Sequence, residues 1–471
     1  MDKIFARFVS ASSLEAHIGP LPDEVMALDP SMDRESLSSL INQLCDLPKR
    51  KEFDFIINGN NFLLSDLKST ISSSSLTEED EIEIEVTLAL PEPKPQLSAP
   101  HDDWVSAIKV YSHDKIVTGS YDGTIHLWKY CDGKEEDVEP AYFSDLSAYA
   151  AHTDPIKDID VLSFETGEKY VVTVGLDSRV SLCRIEETDE SASISYVTDL
   201  GEHDDSILTT TSMIYGDNGI VCVGGNEGII SVFNLSNTGL SGSTDLSSAK
   251  RRKKRRSTAS SLIPPQKASL KLKGHSHAVI SSILTASNLY TGSDDHSIRT
   301  WDIKTGECTG VTVSPSVVTD LDVRSPFQSP VPTSPYLLAS AHSDRRVRVW
   351  DMRASVRKRL TATLVGHKGM VQNVSFPHHE LSSTLPSSLS RALLSHVLLS
   401  VSFDGKTNVW DLRSPYVPLY SIDTRTDGLV ASSKPKSGED EARCLCCAWP
   451  MFDRMFVGCT DCSLRCYTLD I

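Results

Sequence analysis

The chain has 471 residues and a formal net charge of -18 at pH 7, with 23% charged and 39% hydrophobic residues. At about 100–200 residues per domain, this length predicts two to four domains, or one large repeat domain beside a small one. An acidic chain does not coat nucleic acid non-specifically, because the phosphate backbone is itself anionic. No apolar stretch approaches about 18 residues, so we expect no membrane-spanning helix.

The N-terminus and the cysteines indicate the compartment. Charges interrupt the first apolar run, which argues against a secretory signal, so we expect an intracellular protein with its 11 cysteines reduced. Cys459 and Cys462 form a CxxC pair of the kind that binds zinc. Strand alternation predicts Cys444 and Cys446 on one face and Cys447 on the other, so these three do not converge. We interpret these cysteines as small buried residues of strands and expect no metal in this chain.

The first 90 residues alternate short strands with one helix. The segment SMDRESLSSLINQLCDL predicts a helix capped by Ser31 or Asp33, because Leu37, Leu40, Ile41 and Leu44 share one helical face. Strands are predicted at KIFARFV, EVMALD, FDFIING, NFLL and EIEIEVTLAL. The order ββαβββ resembles the ubiquitin β-grasp. No Gly-Gly tail follows, and 17 acidic against 7 basic residues predict binding to a basic or metal-bearing partner.

A repeat organises the rest of the chain. Thr291, Asp295 and Trp301 are four and six residues apart in LYTGSDDHSIRTWDI. The same spacing recurs at Thr118, Asp122 and Trp128, at Ser340, Asp344 and Trp350, and at Ser400, Asp404 and Trp410. Three weaker copies have Cys183, Val232 or Tyr467 in place of Trp, which makes seven copies in all. Gly-His pairs containing His275 and His367 precede two copies, and His101, His152 and His203 occupy related places.

These repeats resemble WD40 repeats, in which His, Ser or Thr, Asp and Trp form a structural hydrogen-bonded network. Seven copies imply a mainly β protein with a seven-bladed β-propeller of four-stranded blades. A buried indole N–H and a buried carboxylate both need partners, and an active site does not usually recur around a ring, so we assign these residues no catalytic role. Blades without Trp are expected to rely on packing. Residues 94–100 (KPQLSAP) are expected to supply the outer strand of the last blade.

The predicted domains are a ubiquitin-like domain at 1–91 and a propeller at 92–471. Two insertions break the repeat, one at 376–396 and one at about 236–267. The second, expected to be disordered, carries seven consecutive basic residues that predict nuclear localisation or RNA binding, against the alternative of a solvated loop. These residues are Lys250, Arg251, Arg252, Lys253, Lys254, Arg255 and Arg256.

A ubiquitin-like domain followed by a seven-bladed propeller, with HDDWVSAIKV at the junction and a basic insert after the third repeat, resembles the Ytm family (WD repeat-containing protein 12 family). The resemblance implies a nucleolar and nucleoplasmic assembly factor of the large (60S) ribosomal subunit that acts in pre-rRNA maturation. It implies a complex with pescadillo and an Erb/Bop-type WD-repeat scaffold on the pre-60S particle, and removal by the AAA ATPase midasin. Contact with pre-rRNA is a further expectation, and contact with a membrane is not expected.

The resemblance also implies a role for the acidic stretch LTEEDE. In the family, a glutamate of the ubiquitin-like domain completes the coordination of a metal ion in the MIDAS domain of midasin. Matching the family pattern Leu-Ser-Ser-Glu to Leu76-Thr77-Glu78-Glu79 places the ligand at Glu79, with Glu78 as the alternative. The metal belongs to the partner, so no cofactor is expected here.

Another class of function fits a different motif. Trp350-Asp351-Met352-Arg353 and Trp410-Asp411-Leu412-Arg413 match the WDxR pattern of substrate receptors of cullin–RING ubiquitin ligases. The simpler interpretation is an arginine that meets solvent after the strand. An enzyme is not predicted, because the sequence has no P-loop, nucleophile elbow, HExxH motif or paired catalytic carboxylates.

Overall fold

The computed structural model of the chain is mainly β and consists of a small α+β domain followed by seven four-stranded sheets. The structure describes residues 3–10, 14, 18–47, 50–58, 61–63, 66–73, 81–131, 141–188, 191–201, 203–215, 218–236, 266–286, 288–324, 337–355, 358–378, 394, 396–414, 416–429, 442–451 and 453–469. None of the described helices is long and apolar enough to cross a membrane.

Among the described elements, the N-terminal domain has a five-stranded mixed sheet and two helices with defined bounds, and Leu14 and Ile18 are also helical. Its elements are β1 (Ile4–Ser10), β2 (Met26–Leu28), α1 (Arg34–Leu44), β3 (Phe53–Ile57), β4 (Asn61–Phe62), α2 (Leu67–Ser73) and β5 (Ile82–Leu88). The strand order is β2-β1-β5-β3-β4, and β1 runs parallel to β5. The predicted order of strands and first helix is confirmed, and the short helix α2 is an addition that the sequence analysis missed.

Helix α1 begins where its cap predicts. Asp33 is the N-cap, because its carboxylate accepts a hydrogen bond from the backbone N–H of Ser36 at 2.9 Å. Leu37 and Ile41 are fully buried, whereas Leu44 is 37% exposed, so the apolar face is narrower than predicted. The buried face of the helix packs with β1, β3 and β5 into one apolar core.

The seven sheets are the blades of the propeller, numbered here in chain order. Blade one is β7 (Val105–Ser112), β8 (Lys115–Ser120), β9 (Thr124–Cys131) and β10 (Tyr142–Ala150). Blade two is β11 (Ile156–Ser163), β12 (Lys169–Gly175), β13 (Val180–Glu187) and β14 (Ala192–Asp199). Blade three is β15 (Ile207–Tyr215), β16 (Asn218–Gly225), β17 (Ile229–Ser236) and β18 (Leu270–Lys273).

The remaining blades follow the same plan. Blade four is β19 (Val279–Leu284), β20 (Leu289–Ser293), β21 (Ser297–Trp301) and β22 (Cys308–Val313). Blade five is β23 (Val318–Val323), β24 (Leu337–His342), β25 (Arg346–Asp351) and β26 (Leu360–Val365). Blade six is β27 (Val371–Ser375), β28 (Val397–Ser402), β29 (Lys406–Asp411) and β30 (Tyr420–Asp423). Blade seven is β31 (Cys444–Ala448), β32 (Arg454–Cys459), β33 (Ser463–Thr468) and β6 (Lys94–Pro100).

The ring closes through a strand from the other end of the chain. Strand β6 pairs antiparallel with β33, with Ala99 opposite Leu464 and Lys94 opposite Thr468. The first strands of successive blades are neighbours all the way round, and β31 contacts β7. The predicted closure by residues 94–100 is therefore confirmed, and it pairs an edge that would otherwise be open.

Every blade has a β-bulge at the same place in its first strand. The pairing register shifts between Val105 and Ala107, Ile156 and Asp158, Ile207 and Thr209, Val279 and Ser281, Val318 and Asp320, Val371 and Asn373, and Cys444 and Cys446. A bulge adds one residue to a strand and so re-aims the side chains that follow it. The predicted faces of the cysteines are therefore wrong. Cys444 and Cys447 share one apolar cluster, whereas Cys446 packs in another cluster with Val105 of blade one.

Candidate functional site

The repeated polar residues meet inside blade four. Trp301 donates from Nε1 to the Oγ1 atom of Thr291 at 2.9 Å, and His275 Nε2 lies 2.8 Å from the same oxygen. The other ring nitrogen of His275 lies 2.8 Å from Asp295. Burial acts to raise the pKa of Asp295, but hydrogen bonds from Ser297 and His275 outweigh burial and lower the pKa to about 2. The carboxylate is thus held ionised beside a buried histidine whose pKa burial lowers.

Blade six has the same arrangement. Trp410 Nε1 donates to Ser400 Oγ at 2.8 Å, and His367 joins Ser400 at 2.8 Å and Asp404 at 3.2 Å. The four side chains lie between buried strands, where each satisfies another's polar atoms. Such a set stabilises the blade and offers no open position to a substrate.

Blade one keeps only part of the network. Trp128 donates to Thr118 at 3.0 Å, and His101 lies 2.8 Å from the same hydroxyl. The carboxylate of Asp122 instead accepts a hydrogen bond from the backbone N–H of Thr124 at 2.9 Å. Burial lowers the pKa of His101 to about 3, so this ring is neutral at physiological pH.

Blade five obtains its histidine from an unexpected position. Trp350 donates to Ser340 at 2.7 Å, and the histidine beside Ser340 is His342, which belongs to the same strand β24. Asp344 pairs with Arg348 at 2.5 Å, whereas Asp295 and Asp404 pair with histidines. A sequence search for a Gly-His pair before the blade could not find His342, because the residue lies after the serine.

The blades without tryptophan correct one expectation. In blade two, where Cys183 replaces Trp, His152 still lies 2.9 Å from Thr173 and 2.8 Å from Asp177. The prediction that such blades lose the network and rely on packing is therefore wrong for blade two. The tryptophan supplies one donor, and the histidine bridge does not depend on it.

Blade seven replaces the histidine network with an ion cluster. The hydroxyl of Tyr467 donates to Asp427 at 2.5 Å, and Arg465 pairs with the same carboxylate at 2.6 Å and with Asp461. Arg465 and Tyr467 are almost completely buried. The prediction that this blade relies on packing is therefore also wrong.

Carboxylates join the first strands of neighbouring blades. Asp158 of blade two accepts a hydrogen bond from the backbone N–H of Thr210 at 2.9 Å. Asp320 and Asp322 of blade five accept from the backbone N–H groups of Val374 at 3.0 Å and Phe376 at 2.6 Å. Burial raises the pKa of Asp158 to about 6 and that of Asp320 to about 8. The sequence analysis missed these residues, although a D-x-D pattern two residues after Ile156 and Val318 marks them.

These carboxylates do not assemble into a metal centre. Within the described ranges, the structure has no group of three or more His, Cys, Asp or Glu side chains placed to hold a metal ion. Cys459 and Cys462 are both buried in blade seven. The inter-blade bonds therefore have a stabilising function, because each joins a side chain of one blade to the backbone of the next.

The predicted partner-binding segments lie outside the described residues. These are Glu78, Glu79 and the basic run Lys250–Arg256. The described strand nearest the two glutamates is β5, which begins at Ile82 opposite Ala6 of β1. Its first residue is one strand length, roughly 20 Å, from Leu88, where the chain leaves for the propeller. Glu81, just before the strand, pairs with Arg7 at 3.1 Å.

The two WDxR arginines have different surroundings. The side chain of Arg353 is 48% exposed and lies 3.7 Å from Asp351 of its own turn. The side chain of Arg413 is only 22% exposed and lies 2.7 Å from Asp411 and 3.7 Å from Glu85 of the N-terminal domain. The interpretation of both as arginines that simply meet solvent is therefore wrong for Arg413.

Comparison with models of known families indicates the class of protein. Residues 4–71 match the family described as NLE (NUC135) domain, and residues 94–129, 266–302 and 306–351 match the WD domain, G-beta repeat. Together with the seven sheets, these matches define a WD-repeat propeller protein with an N-terminal NLE domain.

Comparison with whole proteins then gives relatives of similar length. The chain is 27% identical to "Ribosome biogenesis protein WDR12 homolog" of Chlamydomonas reinhardtii over 486 residues, which covers 99% of this chain and 98% of that protein. It is 27% identical to a protein of the same name from Arabidopsis thaliana, over 88% of each chain. It is 28% identical to "Ribosome biogenesis protein ytm1" of Pyrenophora tritici-repentis, over 83% of this chain and 80% of that protein. The resemblance to the Ytm family (WD repeat-containing protein 12 family) is confirmed.

Proposed function

We propose that this chain is a non-catalytic assembly factor for the large ribosomal subunit. One observation carries the proposal: an NLE domain and WD repeats occur together in a chain whose similarity to a ribosome biogenesis protein spans almost its whole length. The polar networks of the blades support a scaffolding role, because their members are buried and bonded to one another. The chemistry of the protein then lies in the surfaces that it presents to partners.

A depletion experiment tests this role. Removing the protein from cells is expected to lower the amount of large subunits in a sucrose gradient and to accumulate precursors of large-subunit rRNA. Small-subunit precursors serve as the internal control and are expected to mature normally. If large-subunit rRNA matures at the normal rate after depletion, the assembly role is contradicted.

We infer that the propeller binds an Erb/Bop-type WD-repeat scaffold and, with it, pescadillo. The loops at the two ends of the ring are the variable part of a propeller, so one end is the expected contact surface. The complex would act in the nucleolus and nucleoplasm on pre-60S particles, in contact with pre-rRNA.

We further infer that midasin binds the N-terminal domain when it removes the factor from the pre-ribosome. Glu79 would supply a hard oxygen ligand to the metal of the MIDAS domain, where one carboxylate from a second protein fills an open octahedral position. The support for this role is the resemblance of Leu76-Thr77-Glu78-Glu79 to the family pattern.

Matched variants test the ligand. Glu79→Ala is expected to abolish metal-dependent binding to the isolated MIDAS domain, and Glu79→Asp to weaken it because the carboxylate retracts by one methylene. Both variants should still join the scaffold and pescadillo, and Glu79→Ala should accumulate on pre-ribosomes. If Glu78→Ala abolishes binding and Glu79→Ala does not, the ligand is Glu78. If neither change matters, the metal-ligand role is wrong.

The alternative function, a substrate receptor of a cullin–RING ligase, has less support at Arg413. That side chain is engaged with Asp411 and lies near Glu85, so it is not presented to an adaptor. The alternative then depends on Arg353 alone, which is the more exposed of the two arginines.

A further inference from the structure

The N-terminal domain contacts the propeller at a blade to which it is not covalently joined. Its chain continues into β6 of blade seven, yet its side chains meet blade six. The hydroxyl of Tyr420, at the start of β30, donates to the backbone carbonyl of Leu90 at 2.6 Å. Arg413 of blade six lies 3.7 Å from Glu85 of β5. The domain thus bridges the outer edges of blades six and seven.

A buried carboxylate strengthens this contact. Asp54 lies in β3, a strand that is buried at all five positions. Its carboxylate pairs with Arg34 at 2.8 Å and is only 6% exposed. Burial raises the pKa of Asp54 to about 6, while Arg34 acts to lower it and Asp411 of blade six acts to raise it. Arg34 in turn donates a hydrogen bond to the hydroxyl of Tyr420, so the Asp54–Arg34 pair lies at the contact with blade six.

The link between the two domains is short and packed. Only residues 89–93 separate β5 from β6. Leu90 is 2% exposed and belongs to the apolar cluster that contains Val397 of blade six and Trp449, which directly follows β31 of blade seven. A five-residue connection that is buried in this way cannot swing freely, so the position of the N-terminal domain sets the position of the first residue of β6.

The closing strand itself is weakly held. Two of its seven residues, Pro95 and Pro100, have no backbone N–H to donate. Ala99 is the only member that is fully buried, and the three residues at its N-terminal end are exposed. The outer strands β22 and β26 have a similar pattern of exposure, so β6 differs from them in its two prolines and in reaching the ring from the other end of the chain. The strand that completes the ring therefore contributes little buried apolar surface of its own.

We propose that the docked N-terminal domain is a clamp that keeps β6 in the ring, so that release of the domain from blade six loosens the closure. Docking fixes the N-terminal end of β6 and so limits the chain entropy that the strand would gain by leaving β33. The clamp consists of Arg413 and Tyr420 on the propeller side and of Glu85, Asp54 and Leu90 on the domain side. It is independent of the proposed function.

Hydrogen exchange of the purified full-length chain tests the clamp. Arg413→Glu places a carboxylate beside Glu85 and Asp411 and is expected to undock the domain. The amides of the non-proline residues of β6 should then exchange at least about tenfold faster than in the wild type, while blades one to five keep their protection. Arg353→Glu is the matched control, because it changes the same position of the WDxR motif in blade five, and it should leave β6 unchanged.

Two further variants make the test decisive. The double change Arg413→Glu with Glu85→Arg restores an opposite-charge pair and should recover most of the protection of β6. Tyr420→Phe removes the hydroxyl that bonds to Leu90 and to Arg34 of the N-terminal domain and should accelerate exchange in β6 by several-fold. This variant is the decisive one if Arg413→Glu loosens every blade. The clamp is overturned if β3 and β5 lose protection while β6 keeps it, or if no variant changes the exchange of β6.

Discussion

Asp320 accepts a hydrogen bond from the backbone N–H of Val374 at 3.0 Å, and this bond joins the first strands of blades five and six. Burial raises the pKa of Asp320 to about 8 from the ordinary value of 3.8. The folded state therefore holds a proton more tightly than the unfolded chain. The stabilisation that this proton gives is fully present below the unfolded pKa and is lost as the pH rises through about 8.

A pH series tests this relationship. The contribution of Asp320 to thermal stability is expected to decline between the unfolded pKa of 3.8 and about pH 8, so Asp320→Asn, an isostere of the protonated acid, should flatten the pH profile over that interval by a few degrees. Asp154→Asn, at an exposed position, is the control and should keep the wild-type slope. An Asp320→Asn variant with an unchanged slope would show that this carboxyl does not titrate in that range.

Two buried tryptophans form a matched pair for a test of the blade network. Trp410 and Trp449 are both fully buried, but only Trp410 donates from Nε1, whereas the Nε1 of Trp449 has no partner among the described residues. Trp410→Phe should cost about 1–3 kcal/mol, since it removes a buried hydrogen bond as well as volume. Trp449→Phe should cost less, because it also removes an unsatisfied donor. Denaturant unfolding measures both, and an equal or larger loss at Trp449 would contradict the importance of the network.

The basic run predicts nuclear import. Replacing Lys250–Arg256 with Ser and Gly should move a tagged protein to the cytoplasm without changing its melting temperature, because a charged insertion adds little to a packed core. Fluorescence microscopy measures the distribution. The measurement is made in cells depleted of the scaffold and of pescadillo, since a partner could carry the variant into the nucleus. A variant that still enters the nucleus under those conditions removes the import role from this run.

The two domains are predicted to bind different partners. A chain that begins after residue 90 keeps the closing strand β6 and all seven blades, so it should still bind the Erb/Bop-type scaffold. Co-purification measures the binding, and a thermal unfolding curve shows whether the shortened chain is folded. A folded chain that no longer binds the scaffold would place the contact on the N-terminal domain.

The propeller was predictable from the repeat, because the residues of each hairpin recur at a fixed spacing in the local sequence. The steps of four and six residues between Thr291, Asp295 and Trp301 follow from one turn and one strand length. The repeat also made the closing strand predictable, because each blade needs four strands and the last copy supplies only three of them. The bulges were not predictable, since a bulge depends on how neighbouring strands pack, and the error over Cys446 follows from one of them.

Contacts between distant segments were also beyond the sequence. Arg413 and Asp54 look like ordinary surface charges in the sequence, and only the fold brings both to the seam between the N-terminal domain and blade six. His342 was missed because it reaches Ser340 from the same strand. The partner-binding residue Glu79 was inferred from resemblance alone and lies outside the described residues, so it stays a prediction.

The most direct test of the proposed role is the set of proteins that co-purify with the tagged full-length chain from nuclear extract, measured by mass spectrometry. We expect pescadillo, an Erb/Bop-type WD-repeat scaffold, midasin and proteins of the large-subunit precursor, with Arg353→Glu giving the same set because that side chain is not part of the proposed surfaces. Recovery of a cullin–RING adaptor that Arg353→Glu removes, without any pre-ribosomal protein, would contradict the assembly role and establish the ligase receptor in its place.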